Sequence, residues 1–219
     1  MKLQWLGHSS FRLEESTGTS VVTDPYHSYI GIEMPEVTAD VVTVSHKHDD
    51  HSYVGAVKGN PMIIDTVGYF DVKDSIGILG IETNHDEVDG EKRGKNIIYK
   101  YRIDGIDVCH MGDIGEECTP ELAEAIGPVN ILLIPVGGEY TIDADIAKDY
   151  VDKLMPDMVI PMHYRTRGVD LDIDKVDAFL RHFDDEMIEE IEDDTIEITR
   201  SQFDDEYTRV VVFTLPEEE

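Results

Sequence analysis

Three imidazoles and two carboxylates fall within one run of six residues, His46-Lys47-His48-Asp49-Asp50-His51. His46 and His48 are two positions apart, so in an extended segment their side chains point the same way, and a turn after them lets Asp50 and His51 reach a second ion. Imidazole nitrogens combined with carboxylate oxygens suit zinc, and also iron or manganese. The alternative is a histidine-rich solvated turn, but composition alone seldom produces this H-x-H-x-D-H spacing. We interpret the run as the centre of a dinuclear metal site.

A site for two ions needs more ligands than one loop provides, so other strand ends should supply them. The apolar, β-branched residues 40–44 lead directly into Ser45 and His46, which indicates a buried strand that ends at the first cluster. Three further candidates each follow an apolar, strand-like run: His85, Asp113 and His163. A lone histidine after such a run is more often structural, so each of these is weak evidence when it is taken singly.

The ordered set, H-x-H-x-D-H followed by His85, Asp113 and His163, resembles the metallo-β-lactamase superfamily over nearly the whole chain. Further segments look like a branch of stand-alone hydrolases related to L-ascorbate-6-phosphate lactonase: residues 5–11 (WLGHSSF), 23–25 (TDP), 134–141 (IPVGGEYT) and 160–164 (IPMHY). The resemblance implies a four-layer α/β/β/α sandwich. Many members of this branch have no assigned substrate, so the resemblance implies a chemistry better than it implies a substrate.

The same resemblance implies a ligand set. By match to the superfamily, one ion is held by His46, His48 and His85, the other by Asp50, His51 and His163, and Asp113 bridges both. Two divalent ions so placed can hold a hydroxide between them at neutral pH and polarise the electrophile that it attacks. Asp50 and Asp113 are therefore assigned to catalysis. Two Zn²⁺ ions are the expected cofactors, with Mn²⁺ or Fe²⁺ as alternatives.

Other residues are candidates for contacts with the ligands or with a substrate: His8, Asp24, His110, Tyr140 and Tyr164. Asp24 looks like the superfamily's buried acidic residue that orients the metal loop by hydrogen bonds, although an isolated Asp-Pro would simply form a turn. His8 and His110 are equally compatible with structural roles, whereas the two tyrosines could donate to an oxyanion or a phosphate. Three basic residues could neutralise an anionic substrate, although a solvated role is the default: Arg93, Lys95 and Arg165.

Composition sets the outer bounds. With 219 residues and 41% hydrophobic content, the chain can bury one substantial core, and no linker-like break is evident, which predicts a single domain over residues 1–219. No apolar run approaches the roughly 18 residues of a membrane span, and the first residues pass directly into a strand instead of a signal peptide. The lack of a membrane span and of a signal peptide predicts a cytoplasmic location. Cys109 and Cys118 form no C-x-x-C pair and are expected to be reduced structural thiols. A homo-oligomer is compatible with the sequence.

Acidic residues dominate the charge. The 48 Asp plus Glu against 18 Lys plus Arg give a formal net charge of −30, which repels nucleic acids and anionic membranes and favours a small-molecule substrate. The excess is concentrated in residues 184–206, and the chain ends in Glu217-Glu218-Glu219. The simplest interpretation is a solvated acidic surface, which a salt-rich cytoplasm would explain because ions screen the self-repulsion. A dedicated binding role for residues 184–206 is the alternative.

Patterning predicts elements in the order that such a sandwich requires. Strands are expected at residues 2–6, 10–14, 19–23, 41–45, 61–65, 131–136, 158–162, 195–199 and 208–214. Asp104-Gly105 predicts a hairpin that joins residues 97–103 to residues 106–111. Helices are expected at residues 52–58, from the Thr119 cap to Gly127, from Asp143 or Thr141 to Leu154, and at residues 174–183.

Three function classes are compatible with these residues. The first is a metal-dependent hydrolase of a small ester, lactone or phosphodiester, which the intact ligand set favours. The second is a phosphodiesterase acting on nucleic acid, which would need a basic gripping surface that the acidic chain lacks. The third is a non-hydrolytic protein of the same fold, either an iron-dependent redox enzyme or a metal-binding module, which bound-metal analysis would distinguish.

Overall fold

Strands rich in β-branched and aromatic residues are the main regular elements of the computed structural model, which describes residues 1–73, 75–203 and 207–214. In chain order the strands are β1 (Lys2–Gly7), β2 (Ser10–Glu14), β3 (Ser20–Thr23), β4 (Val37–Thr38), β5 (Val41–Thr43), β6 (Val57–Lys58), β7 (Met62–Ile64), β8 (Gly68–Val72), β9 (Ile76–Asn84), β10 (Lys95–Ile103), β11 (Ile106–His110), β12 (Ile131–Pro135), β13 (Met158–Met162), β14 (Ile188–Ile191), β15 (Thr195–Glu197) and β16 (Arg209–Phe213). The helices are α1 (Pro120–Ile126), α2 (Ala144–Leu154) and α3 (Asp177–Leu180), and 3₁₀ turns cover Ser28–Ile30, Val54–Ala56, Asp185–Met187 and Arg200–Gln202. Of the predicted acidic stretches, residues 204–206 and the Glu217-Glu218-Glu219 end lie outside the described residues.

Two large sheets pack face to face. The first has the strand order β15-β1-β2-β3-β5-β7 and the second the order β14-β16-β13-β12-β11-β10-β9-β8, while β4 and β6 form a short parallel ribbon. Side chains from both sheets meet in one buried cluster, which contains Phe11 and Leu13 from the first sheet and Ile98 and Val108 from the second. Because β11, β12 and β13 run parallel to one another, their carboxyl ends lie at one edge of the second sheet.

Two polar contacts fix the sheets against each other inside this core. The hydroxyls of Thr43 on β5 and Tyr101 on β10 lie 2.7 Å apart. On the same strand β10, the Tyr99 hydroxyl donates to backbone carbonyls that include that of Ile64, at 3.2 Å. These bonds satisfy buried hydroxyls that would otherwise destabilise the core, and they set the relative position of β5 and β10.

The helices begin at the residues that the sequence marks. The Thr119 side chain accepts from Leu122 N–H with Pro120 in the first helical position, and the Asp143 side chain caps α2 by accepting from Ile146 N–H. One face of α2 is buried through residues such as Tyr150, and it packs against β12. In the described parts of the chain, every helix is too short or too polar to cross a lipid bilayer.

The predicted α/β sandwich of two facing sheets is confirmed, as is the predicted hairpin. In that hairpin Ile103 pairs with Ile106, and Asp104 and Gly105 take positive φ angles of 50° and 76°. The layer over the outer face of the first sheet is built mainly from the chain between β3 and β7, where Val57 and Met34 pack on Val22 and Val42.

Two predicted helices are corrected. The helix expected at residues 52–58 is wrong: Val54–Ala56 makes a 3₁₀ turn and Val57–Lys58 pairs with β4, because glycine and β-branched residues weaken the helix while the strand pairing is available. The helix expected at residues 174–183 contracts to Asp177–Leu180, because Asp174 is held in a loop pairing with Gly137 and Arg165. Four strands were not anticipated: the short β4 and β6, β8 and the glutamate-rich β14.

Candidate metal centre

Four strand ends deliver the residues of the H-x-H-x-D-H series to one place. The first cluster follows β5, and its turn is closed by a bond from His51 N–H to the His48 carbonyl at 3.0 Å. His85, Asp113 and His163 follow β9, β11 and β13 respectively. The structure therefore brings together side chains that lie as much as 117 positions apart in the sequence, from His46 to His163.

Asp113 lies at the middle of the cluster. Its Oδ1 is 3.1 Å from His51 Nε2, and its Oδ2 lies 3.4 Å from His163 Nε2, 3.5 Å from His85 Nε2 and 3.7 Å from His46 Nε2. The carboxylate is 2% exposed. Four imidazole nitrogens therefore converge on one buried carboxylate.

The ligand atoms separate into two groups, each of which fits within 4.8 Å. One contains His46, His48 and His85, the other contains His8, Asp50, His51 and His163, and a third overlapping group joins Asp24 to His46 and His51. The first two groups contain the residues expected for the two ions, with His8 as an addition to the second, whereas Asp113, the expected bridge, is in none of the three groups.

Several buried ligand atoms have no hydrogen-bond partner among the described residues. They include Nε2 of His46, His51 and His163, and Oδ1 of Asp113. Buried polar atoms are nearly always paired, so this concentration of unpaired atoms fits groups that coordinate metal ions. The donor set of imidazole nitrogens and carboxylate oxygens is the kind that binds zinc, iron or manganese.

The electrostatics of the cluster also suit a cation. Burial lowers the pKa of His46 to about 3, and burial likewise lowers the pKa of His85, so these imidazoles are held in the neutral form that metals bind. Burial alone would raise the pKa of Asp113, but the charges of His163 and His51 hold it well below its usual value. For His51, burial lowers the pKa, and the carboxylates around it more than reverse that effect. Divalent ions bound at this place would likewise stabilise the buried carboxylates.

Asp24 orients two of the candidate ligands. This fully buried carboxylate accepts from His51 Nδ1 at 2.9 Å and from Ser45 N–H at 2.8 Å, and the Ser45 hydroxyl also donates to it. With Nδ1 engaged, His51 presents Nε2 to the cluster. Ser45 Oγ lies 2.9 Å from His46 Nδ1, so Asp24 acts on both histidines. Sequence reasoning did not single out Ser45, whose signal was only its place before His46.

Two further side chains fix the backbone at Asp113 and at Asn84, the residue before His85. Asn96 Oδ1 accepts from Asp113 N–H at 2.9 Å, while its Nδ2 donates to the Met111 carbonyl at 2.9 Å. Glu116 accepts from Asn84 N–H at 2.8 Å and from Asn84 Nδ2 at 2.7 Å, which ties the end of β9 to the loop after β11. Neither Asn96 nor Glu116 was among the predicted site residues.

His8 lies inside the second group of ligands. Its ring nitrogens have no hydrogen-bond partner among the described residues, its Nε2 is 3.6 Å from Asp50 Oδ2, and its ring centroid is 4.4 Å from that of His163. Its backbone takes a φ of 51°, a left-handed conformation that is uncommon for residues other than glycine. Burial, together with the charge of His163, lowers the pKa of His8 to about 4.

The other candidates lie in different surroundings. His110 is fully buried, 2.7 Å from the Ser9 carbonyl through Nε2, and its Nδ1 accepts from Gly112 N–H at 3.1 Å, so it lies behind the cluster. Tyr164 is 6% exposed and stacks on Trp5 with ring centroids 6.3 Å apart, so it packs in the core. Arg165 is exposed in the loop after β13, and Lys95 donates to Asn84 Oδ1 at 2.6 Å.

A cavity of about 450 Å³ opens onto the cluster. Four candidate ligands reach its wall: His48, Asp50, His85 and Asp113. The rest of the wall includes Tyr29, Arg93, Tyr140 and Leu171. Tyr140 was predicted as a site residue and Arg93 as a neutraliser of an anionic substrate, whereas Tyr29 and Leu171 carry no signal in the sequence.

A family model described as a beta-lactamase superfamily domain matches residues 2–163, a range that contains all seven candidate ligands. A UPF0173 metal-dependent hydrolase from Carboxydothermus hydrogenoformans is 31% identical over an alignment of 196 residues. The match covers 76% of this chain and 85% of the relative.

Solved structures confirm the predicted fold of the metallo-β-lactamase type. The crystal structure of a Thermotoga maritima protein, named for an inferred zinc-dependent hydrolase activity within the metallo-β-lactamase superfamily, is 39% identical, covers 97% of each chain and has a TM-score of 0.79. CmlA, a diiron β-hydroxylase from Streptomyces venezuelae, is 18% identical with a TM-score of 0.59, over 83% of this chain and 50% of CmlA. A likeness at that level of identity shows the fold alone.

Proposed function

Because the chain belongs to the metallo-β-lactamase superfamily and, within it, to the UPF0173 family of metal-dependent hydrolases, we propose that it hydrolyses a small ester, lactone or phosphodiester at a dinuclear zinc centre. The observation that carries this proposal is the convergence of four imidazole nitrogens within 3.1–3.7 Å of the Asp113 carboxylate. The relation to L-ascorbate-6-phosphate lactonase remains a resemblance in sequence, so the lactone is one substrate class among the three.

The ligand assignment follows the two groups of atoms. His46, His48 and His85 would hold one ion, Asp50, His51 and His163 would hold the other, and Asp113 would contact both. When bound, two divalent ions activate a water molecule at neutral pH and polarise the electrophilic carbon or phosphorus.

The chain's own residues orient the attacking water, the candidate ligands and the substrate. Asp50 lines the cavity with its side chain 14% exposed, where it can accept a hydrogen bond from the attacking water and aim it at the substrate. Asp24 fixes the His51 ring through Nδ1, and Asn96 fixes the backbone of Asp113. The Tyr140 side chain, 37% exposed at the cavity wall, can donate a hydrogen bond to an oxygen that gains charge in the transition state.

A small substrate accounts for the surface better than a nucleic acid does. A net charge of −30 repels a polyanion, whereas a cavity of about 450 Å³ matches the size of a small molecule. A single domain over residues 1–219 and a cytoplasmic location remain part of this proposal. Cys109 and Cys118 are free and buried, as reduced structural thiols would be.

Two measurements on one preparation test the proposal. The protein is purified without added metal, its bound metals are quantified by mass spectrometry, and it is assayed on lactones, thioesters, phosphodiesters and nucleic acids. We expect about two equivalents of zinc per chain and turnover of at least one small substrate. Iron at two equivalents with no hydrolysis would favour the redox alternative, and turnover of nucleic acid alone would favour the phosphodiesterase alternative.

A further inference from the structure

The loop between β9 and β10 is built around a buried carboxylate. Asp86, 1% exposed, accepts four backbone N–H bonds: Oδ1 from Val88 at 2.9 Å and Gly90 at 2.8 Å, and Oδ2 from Lys92 at 2.9 Å and Arg93 at 2.7 Å. A further bond from His85 N–H to the Gly94 carbonyl, at 3.0 Å, closes the loop. The backbone of Arg93 is therefore held in a fixed position relative to the candidate ligand His85.

The Arg93 side chain lines the metal-facing cavity beside Tyr140. Its guanidinium carbon is 5.6 Å from the centre of the Tyr140 ring, and its Nη2 donates to the Glu139 carbonyl at 3.1 Å. Many basic residues of this acidic chain are paired with carboxylates, but Arg93 forms no ion pair with the described residues. Most of its donors therefore stay available, on a guanidinium that the Tyr140 ring helps to hold.

A second cavity, of about 560 Å³, is also lined by Arg93. Arg93 and His48 line both cavities, so the two spaces adjoin at these side chains. Val44, Val67 and Ile97 give the second cavity apolar surface. Its lysines are already engaged, since Lys47 pairs with Asp65 and Lys95 donates to Asn84.

From this arrangement we infer that Arg93 is an anion subsite, and that the substrate is an amphiphilic anion. A carboxylate or phosphate of the substrate binds the Arg93 guanidinium, and an apolar group of the same molecule occupies the cavity at Val44, Val67 and Ile97. A guanidinium suits this role because it offers parallel N–H donors that match the oxygens of either anion. The inference rests on the proposed function, since it places the reacting bond at the metal-facing cavity.

The charge of the whole chain gives this subsite a role that the metal ions do not fill. A net charge of −30 disfavours the approach of any anion, so a cationic side chain beside the metal centre favours the binding of a second, non-reacting anionic group. Arg93 is the basic residue that lines the cavity onto which His48, Asp50, His85 and Asp113 open. The subsite therefore selects for negative charge at a defined place, beside the cluster instead of within it.

Binding to the metal-loaded protein tests the subsite without any need for turnover. Isothermal titration calorimetry compares 4-phenylbutyrate with its neutral amide, on wild type, Arg93→Gln, Arg93→Lys and the matched surface variant Arg181→Gln. We expect Arg93→Gln to weaken 4-phenylbutyrate by about tenfold or more and to leave the amide within about twofold. Arg93→Lys should retain part of the affinity, and Arg181→Gln should retain all of it.

The apolar half of the inference has its own variant. Val67→Asn should weaken 4-phenylbutyrate and its amide by the same factor, because both ligands place the same ring in the second cavity. Equal affinity of wild type and Arg93→Gln for 4-phenylbutyrate, or no binding to wild type, would overturn the anion subsite. Unchanged affinities in Val67→Asn would overturn the apolar site. The proposed function fails separately, through the absence of hydrolysis across the substrate panel.

Discussion

Asp113 contacts both groups of candidate ligands, so its substitution should disturb the site more than substitution of any other candidate ligand. Its Oδ1 lies 3.1 Å from His51 and its Oδ2 lies 3.5 Å from His85, and these two histidines belong to different groups. We expect Asp113→Ala to abolish turnover and to lower the content of both metals, since the shared ligand sets the geometry between them. Steady-state kinetics and metal analysis on the same sample check this. Wild-type turnover in Asp113→Ala would contradict the assignment of this carboxylate.

Asp50→Asn should behave differently from Asp113→Ala. The amide keeps the shape of the side chain and one coordinating oxygen. It weakens the binding of the second ion and the hydrogen bond that orients the attacking water. We expect the first metal to be retained and the activity to fall by roughly 10²-fold or more, in line with general-base and positioning losses. Full activity with full metal content would contradict the assignment of Asp50 both to the second ion and to the attacking water.

His110 gives the fold a dependence on pH that is separate from metal binding. Its ring is placed to donate from Nε2 to the Ser9 carbonyl and to accept at Nδ1 from Gly112 N–H, a pattern that requires the neutral form. Burial lowers its pKa, and the charge of Asp24 only partly opposes this. The unfolded chain therefore binds the proton more readily than the folded one, so stability is lost as the pH falls below about 6.5, the value of an unperturbed histidine.

Thermal unfolding of the metal-free protein at pH 7.5 and pH 5.5 measures this effect. We expect wild type to lose more stability over this interval than His110→Gln, whose amide can keep both hydrogen bonds without titrating. The difference is at most about 1.4 kcal/mol for one group one pH unit below its unfolded pKa. Because the other histidines are the same in both proteins, identical pH dependence would show that His110 does not carry the effect.

At the scale of elements, the site depends on how closely the loops after β12 and β13 approach each other. A Cβ built on Gly137 would lie 2.1 Å from the His163 carbonyl oxygen, a backbone atom that cannot move away easily. We expect Gly137→Ala to lower the free energy of unfolding by roughly 1–3 kcal/mol and to weaken metal binding through His163. Gly55→Ala is the matched control, because its Cβ would have no neighbour closer than 3.8 Å. Urea unfolding and metal titration check both, and equal stability of the two variants would contradict the close-approach argument.

The elements that position the site could largely be predicted, because each ends at a candidate ligand or at a turn that its residue types mark. The apolar runs before His46 and His163 are β5 and β13, and Asp104-Gly105 marks the hairpin that carries Asp113. Contacts that depend on tertiary structure could not be read from the sequence. Nothing local distinguishes Ser45 or Asn96 from other polar residues, because their roles arise only when strands meet.

The element errors have the same origin. Residues 52–58 carry an apolar pattern with helical spacing, but pairing of Val57 with Val37 decides their structure. The strand β14 is rich in glutamate and was interpreted only as acidic surface, although it pairs with β16 from Ile188 to Ile191. In both places a partner distant in the sequence outweighs local propensity.

At the scale of the whole molecule, the net charge of −30 opposes the compact state. If the acidic excess is an adaptation to salt, the melting temperature should rise between low and molar KCl, because ions screen the repulsion. The Debye length falls from about 30 Å at 0.01 M to about 3 Å at 1 M, so most of the rise should come below 1 M. A thermal-shift series in KCl measures it, and an unchanged melting temperature would favour a dedicated binding role for residues 184–206.

The central claim is that the seven candidate ligands hold two divalent ions side by side, and anomalous diffraction tests it most directly. Crystals of the protein soaked in ZnCl₂ are measured above and below the zinc edge. We expect two anomalous peaks about 3.5–4 Å apart, one within bonding distance of His46, His48 and His85, the other within bonding distance of Asp50, His51 and His163, and both next to Asp113. A map with no peak within bonding distance of His46 and His163 would contradict the claim.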